Sequence, residues 1–209
     1  MAMARRTVKV YSDYKSPYAY LAKDLVYELE RETGAAIDWL PYTLDIPAYL
    51  GSARIDASGN VVEESRNAHQ WRRVRYSYMD CRREANRRGL TILGTRKIFD
   101  SSLANIGMLY AKRHGVLRPY HDRVFEGFWR RELDIESGAA LAAVMAECGA
   151  DPGGLGAFLE DEGRRELERV MREAEAAGVF GVPSFLLEDG DLYWGREHLP
   201  RIREILAAA

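Results

Sequence analysis

The residues best suited to chemistry lie in Ser16-Pro17-Tyr18-Ala19, where a β-rich run, Thr7 to Ser12, breaks at Asp13 to Lys15 and a helix pattern opens. Ser16 suits a helix N-cap and Pro17 the first helical position. The side chain at position 16 then faces unpaired backbone N–H groups at the positive end of a helix dipole, a location that favours an anion and depresses the pKa of a thiol. None of the four residues is a cysteine, so a thiolate held there must arrive with a ligand. The same serine serves equally as a plain helix cap, and this segment alone leaves both roles open.

A second segment, Gly178 to Leu187, runs from a helix end through glycines into an apolar strand with Pro183 near its start. Proline cannot donate to a β-ladder and is confined to strand starts, edges and bulges, so Gly181-Val182-Pro183-Ser184 reads as a positioned turn. Glu188-Asp189-Gly190-Asp191 signals a hairpin, followed by Leu192-Tyr193-Trp194-Gly195-Arg196-Glu197 and a closing helix.

In this order the two segments resemble the branch of the thioredoxin superfamily that holds kappa-class glutathione transferases and 2-hydroxychromene-2-carboxylate isomerases, relatives of DsbA-type oxidoreductases. Tyr11, Asp13, Ser16, Pro17, Tyr18, Tyr20, Leu21 and Ala22 carry the N-terminal match; Val179 to Ser184 and Trp194-Gly195 carry the C-terminal one. Between them, Arg73-x-x-Tyr76-x-x-x-Asp80 and Asn105-Ile106-Gly107 resemble stretches of the isomerases and favour that side of the branch. The resemblance implies a homodimer that uses glutathione on a small aromatic or conjugated substrate. Ser16 would stabilise the glutathione thiolate as the catalytic residue, Val182 before Pro183 would pair with the cysteinyl backbone, Gly195, Arg196 and Glu197 would meet the γ-glutamyl end, and Pro183 and Trp194 would also belong to the glutathione site. Tyr18, Arg73, Tyr76, Phe99 and Asn105 would form the substrate pocket. Two departures stand out: Gly195-Arg196-Glu197 replaces Gly-Ser-Asp or Gly-Asn-Asp, and Pro41 to Leu50 lacks the lysine that isomerases supply for substrate, so Arg54 or Arg73 would have to substitute. A kappa-like transferase is one alternative to the isomerase. A non-catalytic thioredoxin-like binding module lacking C-x-x-C is another. A disulfide oxidoreductase is disfavoured, because position 16 is serine and position 19 alanine.

These residues must be positioned by an α/β chain of thioredoxin-like plan: strand 7–12, helix 17–33 closed by Gly34, strand 36–42, strand 183–188, strand 191–194 and helix 197–207. This βαβ unit, hairpin and C-terminal helix would form one discontinuous domain, residues 1–64 and 178–209, around an inserted all-helical domain, 65–177. Helices are expected near 66–88, 102–114, 119–131, 137–148 and 154–177, the last broken near Asp161 to Gly163. Residues 51–64 read as the only long polar loop, either a lid or a bland connection.

Composition narrows the partners. The chain has 209 residues, 47% of them hydrophobic, enough to bury a substantial core. Thirty basic against thirty-two acidic residues, a net charge of −2, argue against a dedicated binder of nucleic acid or anionic membrane. The seven arginines between Arg72 and Arg88 are interrupted by Asp80 and Glu84, as on a solvated helix face. Met1 to Arg6 are too short for a signal peptide, no apolar run approaches the ~20 residues needed to cross a bilayer, and Cys81 and Cys148 lie far apart, all as expected for a cytoplasmic protein. His69, His114, His121 and His198 offer no i, i+4 pair for a helical zinc site. Ser12-x-x-Lys15 has β-lactamase spacing without the other motifs of that chemistry. Tyr14, Tyr18, Trp71, Tyr78, Phe99, Phe180 and Trp194 could line an apolar pocket or serve the core.

Overall fold

Alternation of small β-branched and polar residues makes Thr7–Ser12 a strand, β1, with Val8 and Val10 fully buried. A computed structural model describes residues 6–208; the expectation drawn from Met1 to Arg6 falls on residues of which 1–5 lie outside that range. Helix α1 (Pro17–Thr33) follows, with Ser16 as N-cap, its Oγ accepting from Ala19 N at 3.2 Å, and Gly34 closing it at φ 69°. Strand β2 (Ala36–Pro41) returns parallel to β1, pairing Thr7 with Ala36 through to Ser12 with Pro41.

The next stretch departs from expectation. A short helix, α2 (Ile46–Leu50), is capped by Asp45, and residues 51–64 are a hairpin and not a loop: β3 (Ala53–Ile55) pairs antiparallel with β4 (Val61–Glu64). Asp56 turns the chain by accepting from Ser58 N and Asn60 N at 2.8 and 2.9 Å, with Gly59 at φ 90°. The Arg54–Glu63 ion pair ties the two strands.

The helices α3 (Ala68–Arg87), α4 (Ser102–Arg113), α5 (Leu117–Trp129), α6 (Gly138–Glu147), α7 (Leu155–Glu160) and α8 (Glu162–Ala176) come next. The expected break separates α7 from α8 at Asp161. The chain then rejoins the sheet as β5 (Ser184–Leu186) and β6 (Leu192–Trp194), shorter than expected, since Pro183 cannot join the ladder. The sheet order is β2-β1-β5-β6, with β5 antiparallel to both neighbours. A 3₁₀ turn, Arg196–His198, precedes α9 (Leu199–Ala207), where one continuous helix was expected; Pro200 lies in the first turn of α9, where its missing N–H costs nothing. Among the described residues no helix is long and apolar enough to cross a membrane.

Two interior contacts show how tightly the helical part is fitted. Tyr120 donates to Ala104 O at 3.0 Å, and its ring reaches that carbonyl across Gly107, where a Cβ would overlap Tyr120 Oη and sit 2.8 Å from Cζ. Beside it, Tyr14 Oη and His121 Nδ1 are 2.7 Å apart, while His121 Nε2 is buried without a partner. The imidazole lies among Trp39, Tyr14 and Phe125, which places Tyr14 in the core. Burial, and secondarily the charge of Lys23, lower the His121 pKa to about 3.

Gly107→Ala should therefore cost about 1–3 kcal/mol through overpacking, read as a lower urea midpoint. A midpoint unchanged from the parent would show that Tyr120 has room to move. His121 predicts an acid dependence: the unfolded imidazole titrates near 6.5, the folded one about 3, so below pH 6.5 the unfolded chain binds a proton that the folded chain refuses. Stability should fall with pH through that window by up to about 1.4 kcal/mol per unit. Urea titrations at pH 7.5, 6 and 5 check this, and His121→Leu should flatten the dependence.

Candidate functional site

A cleft of about 1090 Å³ opens where β1 passes into α1, walled by the start of α1, the 180–183 turn, residues 194–197, one face of α3 and the segments 44–50 and 95–99. Its size suits a ligand pocket of ordinary or generous dimensions.

Ser16 is buried in its wall. Its backbone N–H donates to Asp13 O at 3.0 Å and its Oγ accepts from Ala19 N, so the hydroxyl proton has no acceptor among the described residues. The Tyr18 N–H, next in the first turn, is likewise without a partner there; this is one of the orphan donors of a helix start. Opposite stands the Val182–Pro183 turn, whose peptide bond is cis. Pro183 O accepts from Gly195 N at 2.9 Å and Ser184 Oγ donates to Gly181 O at 2.7 Å, which fixes the turn. Between these anchors neither the N–H nor the C=O of Val182 has a hydrogen-bond partner among the described residues. A buried backbone with both groups unspent is an edge prepared for an added strand. Trp194 lies against Gly181, where a Cβ would sit 2.8 Å from Nε1, and tilts against Phe180 at 5.1 Å between ring centroids.

Beyond the turn, Gly195 at φ 106° bends the chain so that the Glu197 carboxylate folds back over it. Glu197 makes no ion pair among the described residues, and neither does Arg196, whose guanidinium lies 5.6 Å from the Tyr18 ring centre. The Tyr18 hydroxyl donates to Asp80 at 3.3 Å; burial raises its pKa, as does the neighbouring Cys81 thiol. Cys81 itself is fully buried and its thiol is pushed up to about 12, chiefly by burial, which makes it inert. Lys15, Arg66, Arg73, Lys97, Arg196 and Arg203 line the cleft against Asp80 and Glu197; Lys97 and Arg203 are paired with Glu136 and Glu32, while Arg66, Arg73 and Arg196 have no ion pair among the described residues, so the cavity favours an anionic occupant.

Of the residues expected here, Ser16, Val182, Pro183, Trp194, Gly195, Arg196, Glu197, Tyr18, Arg73 and Phe99 line this one cleft. Tyr76 does not: it is 58% exposed, roughly 100° around α3 from the middle of the face that presents Arg73, Val74, Ser77 and Asp80. Asn105 does not either. It is buried, donating to Thr43 Oγ1 at 2.8 Å and weakly to Asp13 and Ser101, and so braces the turn before Ser16 from behind. Arg54 is engaged with Glu63 on the exposed hairpin, and Trp71 donates to Glu64 there. Lys15, Lys97, Tyr49 and Arg66 were not anticipated as lining residues. Lys97 and Tyr49 sit in short irregular segments without periodicity; the one available signal for Lys15 was its place next to the cap.

A 2-hydroxychromene-2-carboxylate isomerase from Sphingobium xenophagum is 26% identical over 206 residues, covering 96% of this chain and 98% of that protein. A solved 2-hydroxychromene-2-carboxylate isomerase superposes with a TM-score of 0.75 at 24% identity, over 97% of this chain and 95% of the other. The cytosolic disulfide reductase DsbM from Pseudomonas aeruginosa, solved with GSH, superposes with a TM-score of 0.64 at 17% identity, over 97% and 96% of the two chains. The family model for the DsbA-like thioredoxin domain matches residues 7–207, and the chain belongs to that family.

Proposed function

We propose that the chain is a glutathione-dependent isomerase of a small aromatic or conjugated substrate. One observation carries this reading: an unspent serine hydroxyl at a helix start and an unspent Val182 backbone border the same cationic cleft. The residues fit glutathione. Val182 offers a donor and an acceptor for an extended peptide, Glu197 a carboxylate for an ammonium, and Arg196 a cation for a carboxylate. The names of the relatives support an isomerase, and the DsbM structure with GSH supports the ligand.

When bound, glutathione supplies a thiolate that can add reversibly to a conjugated carbon. The chain's part is to stabilise the anion and exclude water. Ser16 Oγ–H is a hydrogen-bond donor to sulfur, and the start of α1 adds its dipole; at about 1 kcal/mol each, they favour thiolate over thiol by one to two pKa units. Ser16 is thus a stabiliser and not the nucleophile. Tyr18, Phe99 and Phe128 supply apolar walls for a flat substrate. Reduced glutathione should bind in a calorimetric titration, and absence of binding at millimolar ligand removes the proposal in favour of a binding module.

Ser16→Ala should cost about 1 kcal/mol of stability as a lost cap, raise the thiol pKa of bound glutathione as read from thiolate absorbance, and slow glutathione-dependent turnover about 10²-fold or more. An unaltered thiol pKa would remove the role given to Ser16. Glu197→Gln should weaken glutathione about tenfold with thermal stability nearly unchanged, since the carboxylate has no ion-pair partner among the described residues. Arg196→Ala should weaken it as well; tighter binding would identify the arginine as an obstruction.

A further inference from the structure

We propose that the Lys15 ammonium is an anion-binding group of the cleft, holding a carboxylate or other anionic oxygen of the conjugated substrate beside Ser16. The proposal rests on the reading of the cleft as a substrate site, and it does not require glutathione.

Lys15 is 8% exposed, immediately precedes the cap and lines the cleft. An ammonium carries three donors. Among the described residues this one makes no hydrogen bond; its single ionic contact is Asp13 Oδ2 at 3.8 Å. Asp13 is committed elsewhere, accepting from Leu44 N at 2.8 Å, from Lys15 N at 3.3 Å and from Asn105 Nδ2 at 3.4 Å. The side chain is buried along its length while the ammonium nitrogen stays accessible, so its donors are open to a ligand.

The other deeply buried lysine shows how this fold satisfies such a group when it is purely structural. Lys23, 4% exposed, donates to Asp24 at 2.6 Å and to Asp122. Lys15 has no comparable acceptors, and its surroundings differ in the sense a ligand requires. Together with Leu44, Ile98 and Phe99 it forms the wall common to the cleft and a neighbouring cavity of about 540 Å³. Asp45, Asp100 and Glu168 lie on that cavity against the single further cation Arg164, and Asp100 feels the Lys15 charge, yet none of the three forms an ion pair with Lys15. The donors therefore stand at an accessible wall that Phe99 also lines, on the residue next to Ser16 in sequence. A flat conjugated acid meets each of these features: its body lies on the aromatic wall and its anionic oxygen takes the donors Asp13 leaves unspent.

The test uses trans-cinnamate and its neutral isostere trans-cinnamamide as probes, titrated calorimetrically without glutathione. The parent should bind cinnamate at least tenfold more tightly than the amide. Lys15→Met should abolish that preference, while Arg73→Met, removing a cation on the α3 wall, should retain most of it. Should Lys15→Met fold poorly because Asp13 is left unpaired, the double variant Asp13→Asn/Lys15→Met removes both charges and gives the same readout. A parent without preference, a preference that survives loss of Lys15, or one lost equally in the Arg73 variant each overturn the assignment. A separate titration with reduced glutathione keeps the two proposals apart: its failure would reject the glutathione reading and leave the cinnamate result standing.

Discussion

The carboxylate of Asp13 is the constraint on which the site depends. It is fully buried at the exit of β1, and its oxygens hold the Leu44 N–H of the segment after β2, the Lys15 N–H of its own turn and the Asn105 amide of α4. The backbone carbonyl of the same residue accepts the Ser16 N–H and so sets the cap. Three separated parts of the chain are thus referred to one side chain, and removing it would leave buried donors unsatisfied. Burial raises the Asp13 pKa, outweighing the Lys15 charge and the hydrogen bonds that lower it. For a carboxyl the sign is clear: a folded value above the unfolded one means that ionisation opposes folding once pH rises past the unfolded value. The fold tolerates that cost because the bonds to Asp13 define where α1 begins.

The sheet supplies the other half of the site. β1 is the strand that pairs with both β2 and β5, and the Tyr11–Ser184 pair fixes the latter register. That register brings Val182, just before the strand, to the end of β1 from which Ser16 follows. Ser184 pairs in turn with Trp194, so the residues that carry Arg196 and Glu197 arrive at the same end. A one-residue slip between β1 and β5 would reverse the faces of Ser184 and Phe185. The buried Phe185 ring resists it.

Much of this was legible in the residues because the signals were local. Ser16-Pro17 and Gly34 bound α1 as caps do, and Pro183 marked the turn before β5. The 51–64 hairpin was missed because its strands are short and largely exposed, so alternation against a core never appears, and Asp56 to Gly59 alone carried the turn. Tyr76 and Asn105 illustrate another limit. A motif gives a position along the chain but not an azimuth: Tyr76 shares α3 with Arg73 and faces outward, and Asn105 packs behind Asp13. Lys15 escaped for a third reason, since burial of a lysine follows from tertiary packing and leaves no trace in composition.

Serine in place of cysteine at the head of α1 changes what the same electrostatics can do. The two cysteines of the chain cannot take over: Cys81 is sealed behind Tyr18 with its thiol raised to about 12, and burial also raises that of Cys148. The orphan Tyr18 N–H, the Ser16 hydroxyl and the cations around them remain, and all favour a negative charge. An anion-stabilising site without its own anion is complementary to a ligand that brings one. Arg196 fits the same logic. Placed over the Tyr18 ring without a carboxylate partner among the described residues, it adds to the positive field where a small polar cap would have been neutral.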